Sequence, residues 1–197
     1  MRVALGFKAH SGWAALVALG VERGELRVAE RRRIELVDNR HASAPYHAAD
    51  GLPLAQAQRI VDDSIEEARR TSGRELRATL ERLGAAGHEV AACAVLMPRP
   101  MPDFSVEQIL AVHVRMHQAE GMMFPQALAQ AVASCGLTAH EIPEKDLRER
   151  ASSKLGQTPE AIAATIARLG KSVGAPWGAD QKNAALAAWI ALHDQRA

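Results

Sequence analysis

Seven consecutive residues near the N-terminus, Trp13-Ala14-Ala15-Leu16-Val17-Ala18-Leu19, carry no charged side chain. A strand made of them is apolar on both faces, so both faces must be covered. The segments on either side, Arg2–Phe7 and Leu26–Val37, also read as strands. The turns between them are Lys8-Ala9-His10-Ser11-Gly12 and Val21-Glu22-Arg23-Gly24-Glu25. Three antiparallel strands in series at the start of a chain suggest a sheet whose first strand is central. The third strand is interrupted by Arg31, Arg32 and Arg33. Arginines suit an edge, where charge discourages addition of a further strand. A contact of the same triple with nucleic-acid phosphates is the competing reading.

The rest of the chain alternates. Asp38 to Gly51 has loop character and holds His41, His47 and the only tyrosine, Tyr46. A loop of this length between a sheet and a helix can overhang a site. Pro53 opens a helix to about Ala86, with apolar residues at threes and fours from Leu54 to Leu83. Ser72-Gly73 either splits or weakens it. Val90–Met97 is apolar throughout, as a buried parallel strand should be. After a proline-rich loop, Ser105 caps a helix running to about Gly121. Pro125 is expected to kink or restart that helix, which resumes over Gln126–Ser134. Leu137–Ile142 is a last short strand. Helices follow over Glu144–Ser152, from Thr158 to Leu169, and over Asp180–Asp194. The order β-β-β-α-β-α-β-α-α-α predicts an α/β fold over a single domain, residues 1–197. Its five-stranded mixed sheet has three antiparallel N-terminal strands and two parallel ones, with helices on both faces.

Composition narrows function by exclusion. A formal charge of +1 provides no global field for nucleic acid or membrane, and aromatics at 4% are too few for a base-stacking platform. No apolar run approaches the roughly 20 residues of a membrane span. The two cysteines, Cys93 and Cys135, lack metal-ligand spacing. Free thiols and a start that reads directly as a strand lead to a cytoplasmic expectation. No Walker or dinucleotide glycine motif is present, and no GxSxG. His113, His117 and Glu120 fall at i, i+4 and i+7 on one helix flank, which makes them a candidate transition-metal set.

The element order is that of the ribonuclease H-like fold. The second half resembles the RuvC Holliday-junction resolvases in His117-Gln118-Ala119-Glu120-Gly121, Gln126-Ala127-Leu128-Ala129-Gln130-Ala131, Gly136-Leu137, Ala139-His140-Glu141 and Pro143. The closing Asp180-Gln181-Lys182-Asn183-Ala184-Ala185-Leu186-Ala187 is similar to that family's Asp-x-x-Asp-Ala-x-Ala ending. The resemblance implies phosphodiester hydrolysis by two Mg²⁺ ions held on carboxylates from strand one, the fourth strand and the last helix. It places those positions at Lys8, at Leu96 or Met97, and at Asp180 with Asn183. Only Asp180 is a carboxylate. An ammonium in place of a metal ligand repels a dication by about several kcal/mol in a low-dielectric cleft.

The leading expectation is therefore a RuvC-like domain that has lost its catalytic metals and binds a partner, either DNA or RNA or a protein, as a homodimer and away from membranes. It carries a Lys8–Asp180 ion pair with Asn183 nearby, and no cofactor. The alternative is a nuclease with displaced ligands, drawn from Asp103, Glu107, His113, His117 and Glu120, and dependent on Mg or Mn. A third reading is a small-molecule enzyme using Lys8, His10 and the histidine loop.

Overall fold

A computed structural model describes residues 1–195; the last two residues of the expected 1–197 unit lie outside them. The sheet has the order β3-β2-β1-β4-β5. Its strands are β1 (Arg2–His10), β2 (Trp13–Glu22), β3 (Glu25–Glu35), β4 (Glu89–Met97) and β5 (Ala139–Pro143). β1 is central, as expected. It pairs antiparallel with β2 and parallel with β4. β3 joins β2 antiparallel, and β5 joins β4 parallel. The arginine-bearing β3 is an edge strand. β1 continues three residues beyond Phe7, so Lys8, Ala9 and His10 are ladder residues. Only Ser11 and Gly12 turn the chain, with Gly12 at φ +81°.

The helices are α1 (Pro45–Ala49), α2 (Leu54–Ala85), α3 (Val106–Leu110), α4 (His113–Ser134), α5 (Leu147–Leu155), α6 (Pro159–Val173) and α7 (Ala179–Asp194). They form two layers, and the strand pleat divides the core between them. Val3, Leu5, Phe7 and Ala9 pack with residues of α2 and α4, among them Ala68, Leu76, Phe124 and Leu128. Ala4, Val17, Leu19, Ala94 and Leu96 pack with α5, α6 and α7. Alternation therefore places Gly6, Lys8 and His10 on the α7 side.

Three local expectations change. α2 runs unbroken through Ser72 and Gly73, both buried. Tertiary packing of that stretch outweighs the weak helix propensity of the pair. α4 continues through Pro125, because Met123, Phe124, Pro125 and Leu128 are buried together. The break falls earlier, at Val112, whose φ of −141° is extended. There the Arg115 guanidinium donates to the Gln108 carbonyl at 2.8 Å, satisfying an acceptor that the end of α3 leaves open. The segment after β3 is also more ordered than a loop. It forms a 3-10 turn over Arg40–Ser43 and then α1. Its start is pinned to α2: Glu67 accepts from the Asp38 and Asn39 amides at 2.7 and 2.9 Å, and Arg74 donates to Asp38 at 2.9 Å.

Cys93 is fully buried in β4 and unbridged. Burial, and then the neighbouring Cys135, pushes its thiol up to about 12, so it stays protonated. Among the described residues no helix is long and apolar enough to cross a membrane.

α7 lies against β1 at backbone distance. A Cβ on Gly6 would sit 1.9 Å from the Ala184 carbonyl oxygen and 2.8 Å from the Ala188 nitrogen. Gly84, in α2, has open space where its Cβ would be. Gly6→Ala should therefore destabilise the protein by about 1–3 kcal/mol or more, since backbone has to shift. Gly84→Ala should stabilise by about 0.5–1 kcal/mol through helix propensity. Urea denaturation of both variants checks the contrast.

Candidate functional site

β1, β3, β4 and β5 run in the same direction, so their C-terminal ends share one edge of the sheet. On the α7 side of that edge lies a group of polar contacts. The Lys8 ammonium meets Glu144 at 2.6 Å, in the 3-10 turn directly after β5. This pair is half-buried. His10 Nε2 lies 2.9 Å from Asp180 Oδ1, in the first turn of α7. His10 also stacks on Trp13, with ring centroids 4.4 Å apart and an interplanar angle of 14°. From the next strand, the Arg33 guanidinium lies 4.0 Å from the Trp13 ring centroid and donates to Glu35 at 2.7 Å. A continuous ladder thus runs Asp180–His10–Trp13–Arg33–Glu35, from α7 to the sheet edge. Between Lys8 and β5 the α7-facing residue of β4 is Leu96, 2% exposed. Met97 packs into the opposite layer, so Leu96 is the β4 residue beside Lys8.

The expected Lys8–Asp180 pair is corrected by this geometry. Lys8 pairs with Glu144, and Asp180 pairs with His10. Lys8 lies under the start of α7, where its stem reaches sideways across β4; His10, one pleat further on, meets the helix terminus. Asn183 does not join them. It lines a cleft of about 450 Å³ between α5, α6 and α7, with Arg148, Ile162, Ile166, Lys182 and Leu186.

The three arginines do not form one surface. Arg31 and Arg33 point to the α6–α7 side and Arg32 to the α2 side. Arg31 clamps the linker before α7, donating to the carbonyls of Gly174, Ala175 and Pro176 at 2.7, 3.2 and 2.8 Å. Arg32 lies 3.7 Å from Glu30, which also accepts from Arg82 at 2.8 Å.

The opposite side of the same edge holds a second group. His113 and His117, at the start of α4, bring their Nε2 atoms to 3.2 Å. His47, from α1, completes a set in which one nitrogen from each ring lies within 4.8 Å of the others. Glu120 is not beside them as a ligand. It is 5% exposed and turned inward, where it accepts from the Tyr46 and His47 amides at 3.0 and 3.1 Å and contacts His47 Nδ1 at 2.8 Å. Those two amides belong to the first turn of α1, so the carboxylate caps that helix. Burial, and then the charges of Asp62 and Glu120, raise the Tyr46 phenol above its ordinary range. Asp103 and Glu107 are exposed and join no metal-capable group among the described residues. His113 and His117 were visible as a helical pair. His47 was not, because nothing in a loop histidine shows which helix will lie beside it 66 residues later.

No protein-family model matches the chain, and no curated protein matches it in sequence. Solved structures do. The chain is similar to Thermus thermophilus RuvC in complex with a Holliday junction substrate, at 14% identity and a TM-score of 0.50, over 100% of this chain and 96% of that one. The structure of Thermus thermophilus RuvC alone gives the same identity and TM-score, over 98% of this chain and 95% of that one. The fold is ribonuclease H-like, with the five-stranded mixed sheet expected from the sequence.

The Lys8–Glu144 contact is measurable on its own. A double-mutant cycle with Lys8→Met and Glu144→Gln should give a coupling of about 1 kcal/mol, above that of a fully exposed pair because both groups are partly desolvated. The coupling should shrink in high salt, and urea denaturation at two ionic strengths reads it.

Proposed function

We propose that this chain is a RuvC-like domain that binds branched nucleic acid without cutting it, its hydrolytic metal positions having been taken over by ion pairs. The observation that carries the reading is the α7-facing row at the sheet edge. Lys8 stands on β1 and Leu96 on β4, where the family resemblance calls for carboxylates. Glu144 and Asp180 are carboxylates nearby, but Lys8 and His10 occupy them. Two Mg²⁺ ions need several unencumbered hard oxygen ligands. A cation fixed among them opposes such ions by about several kcal/mol. The choice of partner rests on the likeness to a RuvC bound to a Holliday junction, over nearly the whole of both chains. A protein partner is the competing occupant of the same role, and self-association as a homodimer is part of the reading.

A nuclease with a displaced ligand set is the second reading. Glu144 and Asp180 favour it, since both lie at this edge and would be released if their partners moved.

One experiment separates the readings. Wild-type protein is incubated with four-way DNA junctions and RNA–DNA hybrids in Mg²⁺ and in Mn²⁺, and binding is followed by fluorescence anisotropy. The expected outcome is junction binding without cleavage, weakening steeply between about 50 and 200 mM salt. Cleavage that Asp180→Ala abolishes would overturn the reading in favour of the nuclease. Absence of binding at low salt would leave the protein-partner role.

A further inference from the structure

We infer that His47, His113 and His117 form a binding site for one transition-metal ion of the Zn²⁺ class, with Glu120 as the residue that positions His47. The group lies on the α2–α4 side of the sheet, away from Lys8 and Asp180, and it does not depend on how those residues are read. Three observations converge on it.

The first is ligand geometry. A tetrahedral Zn²⁺ with bonds of about 2.0–2.1 Å to nitrogen sets its ligand atoms about 3.3 Å apart. His113 and His117 Nε2 already stand 3.2 Å apart. The outer limit of the set, 4.8 Å, closes with small rotations of side chains that are exposed in His113 and His117 and partly exposed in His47. The second is the arrangement of the rings. Their centroids lie 4.5 to 5.2 Å apart, with the pairs tilted or edge-on at 52 to 89°. Three imidazoles so oriented do not stack as a hydrophobic cluster. A single shared proton can satisfy only one pair of facing nitrogens, whereas one dication satisfies all three. The third is Glu120. Its buried carboxylate lies 2.8–2.9 Å from Nδ1 of His47; on this proposal the carboxylate accepts the Nδ1 proton and the Nε2 lone pair takes the ion. A carboxylate behind a histidine in this way orients the ring and raises its basicity, the recurring support of zinc-bound histidines.

The donor set also selects the ion. Three neutral imidazoles are borderline ligands that suit Zn²⁺, Co²⁺, Ni²⁺ or Cu²⁺ and discriminate against Mg²⁺, which prefers oxygen. Three protein ligands leave a fourth position for water or a ligand oxygen. The ion would join α1, in the segment after β3, to the start of α4, so binding should tighten that corner of the fold.

The test uses the full chain without a polyhistidine tag, stripped with chelator and titrated with Zn²⁺ and Co²⁺. One equivalent should bind, Co²⁺ should show the intense visible absorption of a tetrahedral site, and Zn²⁺ but not Mg²⁺ should raise the Tm. His47→Ala, His113→Ala and His117→Ala should each weaken binding by about 100-fold or more and abolish the Tm shift. His113 and His117 are exposed, so those two variants test the site even if His47→Ala perturbs α1. Glu120→Gln should weaken Co²⁺ binding about 10–100-fold while the circular dichroism of the metal-free protein is retained, which separates positioning from a purely structural loss. Zn²⁺ binding no tighter than about 100 μM, or affinity that His47→Ala leaves within about threefold of wild type, would overturn the three-histidine site and leave only a weak surface pair.

Discussion

The Ala184 carbonyl occupies the space that any side chain on residue 6 would need. That single approach fixes α7 against the central strand, and the chemistry at the sheet edge follows from it. With Ala184 and Ala188 over Gly6, the helix runs back toward its own N-terminus above Lys8 and His10. Four residues of helix advance about 6 Å and four of strand about 13 Å, so the start of α7 falls short of the end of β1. A side chain from each bridges the difference, Asp180 from the helix and His10 from the strand. Lys8, two residues earlier on the same face of β1, pairs away from Asp180. Its stem crosses β4 instead and ends on Glu144. The alanines of α7 (Ala184, Ala187, Ala188, Ala191) are what allow so close a helix, since larger residues would lift it off the sheet.

The sheet separates two chemistries that share one edge. On the α7 side the carboxylates are already engaged, by an ammonium and an imidazole. On the α4 side three imidazoles converge and the Glu120 carboxylate is turned away into the protein. Hard cations seek the first kind of donor and borderline transition metals the second. The dividing layer is apolar: Phe7 and Ala9 on one side, Ala94 and Leu96 on the other. An ion on either side would therefore find its ligands on that side alone, since the layer between offers no polar side chain to bridge the two groups.

Much of this architecture was legible because period and punctuation carry it. The two-sided apolarity of β2 required two helical layers, and the charges on β3 required an edge. Two of the misreadings share a cause. Ser72-Gly73 and Pro125 are breakers by local propensity, but each is buried where packing over many residues outweighs a local cost of about 1–3 kcal/mol. Val112 gives no such signal, yet the chain breaks there, and the Arg115 guanidinium satisfies the Gln108 carbonyl at the end of α3. At the site, residues that act within one helix, such as His113 with His117, were readable by spacing. Pairs made across the fold were not. Lys8 with Glu144, His10 with Asp180, and His47 with its two partners are separated by 136, 170 and 66 or more residues, and only the packing of layers decides them.

The Lys8–Glu144 pair also constrains how the edge could change. Removing the ammonium alone leaves a half-buried carboxylate without a partner, and replacing it with a carboxylate sets two like charges close together. Either change costs stability unless a cation enters. Leu96 lies between them and supplies no oxygen to hold such a cation. A metal-binding edge would thus need coordinated changes on β1, on β4 and on α7, where Asn183 faces the neighbouring cleft. On the proposed reading, the present arrangement is locally stable for the same reason. Each carboxylate of the group is engaged by a neighbour, Glu144 by Lys8 and Asp180 by His10, so freeing either for a metal first removes a contact that the present fold uses.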